Sequence, residues 1–142
     1  MVINTTHTDK NNNELENGIV GKSFSFIKSI KLGGIGSKRM IIEEASANFK
    51  DQLNLVSDIN YANIELRPHG LLIRIIKGHK SFTWAVPYYQ LHVYNTDGFS
   101  IHAQGRFIRL KKNKLFKENK NFLEKMFFLK EKYLEKYEFR YD

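Results

Sequence analysis

The densest positive charge in the chain lies between positions 106 and 118, where Arg106, Arg109, Lys111, Lys112, Lys114 and Lys117 face one acid, Glu118. Guanidinium and ammonium groups at that density attract phosphates and carboxylates, at contact and through their field. The segment carries most of the formal net charge of +8, because the stretches on either side are nearly balanced. These six residues are therefore the anion-binding candidates. Lys77, His79 and Lys80, at a separate turn signal, are secondary candidates. A solvated strand end and loop is the competing reading, since surface charge runs are usually that.

Other residue types point away from catalysis. The chain has no cysteine, which excludes disulfides, thiolate nucleophiles and Cys-based zinc sites. His92 and His102 lie on consecutive strand patterns and would face each other in the right register. No His-Glu-x-x-His spacing occurs, and no third ligand stands near them. Glu65 and Asp97 sit singly, without the paired carboxylates that acid–base chemistry needs. Gly33-Gly34-Ile35-Gly36-Ser37-Lys38 resembles an anion cradle before a helix, but it lacks the glycine spacing of a phosphate-binding loop. A turn and helix cap is the simpler reading of it. No enzyme activity, metal or cofactor is expected. The aromatic set Phe82, Trp84, Tyr88 and Tyr89, near Arg67 and Arg74, suits base stacking. It equally suits a packed core with the tyrosines at its edge.

The elements that would position these groups follow from periodicity. Residues 1–18 are polar, with Asn11, Asn12 and Asn13 in a row, and read as a disordered tail. Between positions 21 and 32, Phe24 and Phe26 alternate like a strand, while Phe26, Ile27 and Ile30 fit a helical turn. The pattern does not separate the two. Ile41, Ala45, Phe49, Leu53 and Val56 recur at helical spacing, with Ser37 as N-cap, which predicts a helix over 37–57. Six short strands are predicted over 64–111, divided by Pro68-His69-Gly70, by the 77–80 turn, by Pro87, by Asp97-Gly98 and by Gly105. A helix follows over about 119–138. Its apolar arc includes Phe122, Leu123, Met126, Phe127 and Tyr133, interrupted by Lys130, whose stem is long enough to snorkel. Glutamate and lysine stripes share the far side, where Phe128 is alone.

Two segments, Ile64-Glu65-Leu66-Arg67-Pro68-His69-Gly70-Leu71-Leu72-Ile73 and Phe82-Thr83-Trp84-Ala85-Val86-Pro87-Tyr88-Tyr89-Gln90-Leu91, resemble bacterial pleckstrin-homology-like domains, relatives in shape of the GRAM domains. The likeness is one of element order over 64–137, not of an invariant motif. It implies a strongly bent antiparallel sheet whose open end is plugged by the C-terminal helix. It also implies seven strands, so that residues 24–32 are a candidate seventh strand or a separate cover.

The expected architecture is α+β. A bent antiparallel sheet or partly open barrel of six to seven strands is joined by a capping C-terminal helix and one preceding helix, all within a single domain over 19–142. Its length of 142 residues and 42% hydrophobic content support one buried core. No apolar run reaches membrane-spanning length and no basic-then-apolar leader opens the chain, so a cytoplasmic protein is expected. The expected function is a non-catalytic binding module that contacts a protein partner or an anionic lipid headgroup through 106–117. The alternative is a nucleic-acid-binding protein using the same patch with the sheet aromatics.

Overall fold

The computed structural model describes residues 1–6, 10–49, 60–96 and 98–138. In chain order the elements are β1 (Val2–Asn4), α1 (Lys10–Val20), α2 (Phe26–Lys31), β2 (Met40–Ala45), β3 (Asn60–Leu66), β4 (Gly70–Lys77) and β5 (Lys80–Pro87). After these come β6 (His92–Tyr94), β7 (Phe99–Ala103), β8 (Arg106–Leu110), α3 (Lys114–Lys117) and α4 (Lys120–Glu138). The class is α+β, and every strand pairing is antiparallel. Among the described residues no helix is long and apolar enough to cross a membrane.

The sheet order is β1-β5-β4-β3-β2-β8-β7-β6. Two meanders, β2 to β5 and β6 to β8, are joined where β2 pairs β8, and β1 adds to the free side of β5. The sheet curls until β1 and β5 approach the β7–β8 turn. Gln104 in that turn accepts from the Met1 amino group and from Trp84 Nε1 at 3.2 Å, and its amide donates to the Ala85 carbonyl at 3.2 Å. Gln104 sits at φ 57 and Gly105 at φ 73, the paired positive values of a tight two-residue hairpin. A side chain in that unfavourable region is held there by the contacts it makes.

The core lies inside the curl. Ile64, Ile73, Trp84, Ile101 and Ile108 are buried there, and Phe49 meets Trp84 edge-on at 5.1 Å. α4 adds Phe122, Leu123 and Met126 to that core, as the buried face of an amphipathic helix should. Lys130 does intrude on that face. Burial lowers its ammonium pKa, which fits a stem held against apolar neighbours.

Three expectations are corrected. The described residues of the 1–18 segment are not a disordered tail: they supply β1 and most of α1. Its helix escaped detection because its inner face is polar. Asn12 donates to the Asn4 carbonyl at 2.9 Å, Glu16 and Asn17 meet Arg67 just past β3, and Glu16 also meets Arg74 of β4. Gly21, at φ 85, ends α1 by donating to the Asn17 carbonyl at 2.9 Å. The helix expected over 37–57 is absent at its start, where β2 forms instead. Met40 and Ile42 point inward, Ile41 and Ile42 favour the pleated backbone, and both neighbours offer ladder bonds. Ser37 does not cap a helix: its Oγ accepts from Ile64 N at 2.8 Å. Ala47–Phe49 is a short 3-10 turn, and residues 50–57 of the expected helix lie outside the described ones.

Among the described residues the sheet has eight strands rather than six or seven, because β1 and β2 join the six strands read from the pattern. The ambiguous 21–32 stretch holds a helix, not the candidate seventh strand. Ser25 caps α2 by accepting from Lys28 N at 3.2 Å. Gly33 and Gly34, at φ 77 and 102, close it by donating to Ile30 and Ser29 carbonyls.

Candidate functional site

The six basic candidates divide into two kinds. Arg106 and Arg109 stand on β8 and are engaged within the fold. Arg106 lies 4.9 Å from the centre of the Phe49 ring and donates to the Asn48 carbonyl, while Arg109 pairs with Glu44 of β2. Lys111, Lys112, Lys114 and Lys117 follow on the β8-to-α3 link and on α3, and all four are exposed. Among the described residues none of these four makes an ion pair. Glu118, the lone acid of the segment, is 3.8 Å from Lys38.

Local structure holds these lysines outward. Lys111 N donates to the Ile41 carbonyl at 2.9 Å, extending the ladder one residue past β8. Asn113 caps α3 by accepting from Phe116 N at 3.1 Å. Asn119, only 2% exposed, clamps the link. Its Oδ1 accepts from Lys38 N at 2.8 Å, and its Nδ2 donates to the carbonyls of Lys38 and Leu115. The clamp turns Phe116 inward against Phe99 at 5.2 Å between ring centres.

That packing leaves a hollow of about 330 Å³ between β7, α3 and α4. Its floor is Phe99, Phe116, Leu123 and Phe127, and its rim is Lys117, Lys120, Glu124 and Asn95. Of the anion candidates only Lys117 reaches the rim. Lys120 and the apolar floor were not singled out as a site from the sequence, because the floor residues read individually as core. Lys120 and Glu124, one turn apart, share a face of α4, and that spacing is the signal for their side of the rim.

Other candidates are placed elsewhere. The 77–80 turn is a two-residue hairpin in which Lys77 pairs Lys80. His79 and Lys80 are exposed there, apart from the 106–117 segment. The glycine loop after α2 turns carbonyls outward: those of Gly33 and Gly34 each accept from Lys125 Nζ at 3.1 Å. Trp84 and Tyr88 are buried, so neither ring can stack on a base; Tyr89 alone of the aromatic set stands in solvent. Tyr88 donates its hydroxyl to the Arg67 carbonyl at 2.9 Å, and burial raises its pKa.

His92 and His102 are direct cross-strand partners, as the alternating pattern allowed. His102 stacks on Phe107 at 5.2 Å, meets Tyr94 edge-on, and lies 3.0 Å from the Ser100 hydroxyl. Burial first, then the charges of His92 and Arg109, hold it below its ordinary 6.5. Just below that value the unfolded chain binds the proton more readily than the fold does. Stability should therefore fall as pH drops through this window. Urea midpoints between about pH 5 and 7 should decline toward acid, and His102→Gln should flatten the slope.

Compared with known proteins, the chain matches no protein-family model, no curated protein and no solved structure.

Proposed function

We propose that the protein is a non-catalytic binding module of the pleckstrin-homology-like kind, and that it docks a protein segment carrying acidic and large apolar side chains. The observation that carries this reading is the apolar hollow of Phe99, Phe116, Leu123 and Phe127 with Lys117 and Lys120 at its rim. Its volume of about 330 Å³ suits a few side chains. Apolar anchors in such a hollow supply affinity, while the surrounding lysines select an acidic partner and speed its approach. Lys111, Lys112 and Lys114 extend that field beyond the rim. The family resemblance is supported by the curled antiparallel sheet and by α4 across its open end.

Selection from a displayed random-peptide library tests the reading. Enriched peptides should combine Phe, Leu or Trp with flanking Asp or Glu. Lys117→Glu with Lys120→Glu should weaken them about tenfold, as expected for two rim charges. Peptides indifferent to both substitutions would refute the proposed surface. Oligonucleotide binding abolished by Lys111→Glu and Lys114→Glu, with no peptide enriched, would favour the nucleic-acid alternative.

A further inference from the structure

We propose that α2 and the lysine-lined hollow beside it form a second, separate surface that docks on an anionic phospholipid bilayer. α2 buries none of its six residues and leaves Phe26, Ile27 and Ile30 exposed to 80%, 67% and 63%. Single exposed apolar residues are ordinary, but three large ones on a single short helix form a patch. A helix of this length does not form by propensity alone. Here it is built from its ends: Ser25 caps the start, Gly33 and Gly34 close the finish, and Lys125 fixes the closing carbonyls. The fold thus holds three apolar side chains out in water instead of turning them inward.

The charge beside the patch identifies what covers it. A hollow of about 320 Å³ adjoins α2, lined by Lys28, Lys132, Lys136 and His69 around Phe24 and Tyr133. Among the described residues no carboxylate lines it. Lys132 lies 3.8 Å from Glu135, an exposed pair of small strength that a phosphate can displace. Lys31, at the end of α2, adds a further cation. Lys132 and Lys136, with Lys125, come from the lysine stripe of α4, so that stripe converges on α2 rather than facing solvent alone.

Apolar side chains that protrude, with cations recessed behind them, match a membrane surface. The tips enter the acyl boundary and the lysines meet headgroup phosphates. A protein groove would have to supply a concave apolar slot with an acidic wall.

Co-sedimentation with phosphatidylcholine vesicles, with and without phosphatidylserine, provides the test. Binding should require phosphatidylserine and weaken as salt is raised. Phe26→Ser with Ile27→Ser should reduce it on the order of 100-fold, the value of withdrawing two large apolar side chains. Because α2 buries nothing, the thermal midpoint of that variant should be unchanged. Lys28→Glu with Lys136→Glu should reduce binding by about tenfold or more. The proposal fails if anionic vesicles are not bound at low salt, or if neutral vesicles bind equally well. It also fails if Lys111→Glu with Lys114→Glu abolishes binding while the α2 variant does not. Concentration-dependent self-association removed by the α2 variant would assign the patch to a second copy of the chain and overturn it.

Discussion

Glu16→Ala is expected to remove about 3 kcal/mol of folding stability, the lower end for breaking a buried ion pair. Glu16 is 3% exposed, with its oxygens 3.5 Å from Arg74 and 4.0 Å from Arg67. Arg67 is itself buried, and also meets Glu65, the Asn17 side chain and the Gly21 carbonyl at 2.9 Å. Two arginines are thus balanced by two glutamates beneath α1. Removing Glu16 leaves an excess cation at the buried site, with Glu65 the only carboxylate among the described residues that meets both arginines. Exposed Glu14 on the same helix is the control: Glu14→Ala should change stability by less than about 0.5 kcal/mol. Equilibrium urea unfolding measures both. Equal midpoints for the two variants would mean that α1 is not docked on the sheet.

Gly70→Ala should be at least as damaging, about 3 kcal/mol or more, at the upper end of overpacking. A Cβ there would stand 2.3 Å from the Val86 carbonyl oxygen, 2.8 Å from Pro87 Cα and 2.8 Å from a Val20 methyl. Two of those atoms are backbone and cannot swing away. Three segments cross at this point. His69 N donates to the Val20 carbonyl, Tyr88 N to the His69 carbonyl, and Arg67 N to the Gly70 carbonyl. Gly18→Ala provides the opposite sign. Gly18 lies in α1 with open space around it, so alanine should add about 0.5–1 kcal/mol of stability by helix propensity. Thermal midpoints moving in the same direction for both glycines would contradict this account.

These two sites mark where the sequence was hardest to read. Period-two alternation located β3 to β8 well, since residues such as Phe82, Trp84 and Val86 share the core face. The run from Leu71 to Ile76 resisted assignment for a physical reason. Leu71, Ile73 and Ile75 enter the main core, and Leu72 is buried on the other side with Val20 of α1. α1 has apolar contacts only at its end, through Ile19 and Val20, and ionic and amide contacts hold the rest; hydrophobic periodicity is blind to those. β2 was misread because Ile41, Ala45 and Phe49 keep a four-residue spacing. Pairing to β3 and β8 overrides that local signal.

The candidate site was legible in part. The exposed lysines from Lys111 to Lys117 were visible as a charge run. Nothing local distinguishes them from Arg106 and Arg109, whose partners Asn48 and Glu44 are more than fifty positions away. The hollow was not visible, because Phe99 is brought to Phe116 and Phe127 only by the closure of β7 against α4. α2 was likewise ambiguous: a helix that packs on nothing has no core-facing stripe to betray it.

On the proposed function, acidic, apolar protein segments dock at the hollow between β7, α3 and α4. Amide chemical-shift mapping, with a library-selected peptide titrated into the labelled protein, tests it most directly. Shifts should concentrate at Asn95, Phe99 and residues 116–127 and be lost in the Lys117→Glu, Lys120→Glu variant. Saturable peptide binding with those amides unmoved, and shifts confined to the His92–His102 face or to α1, would contradict it.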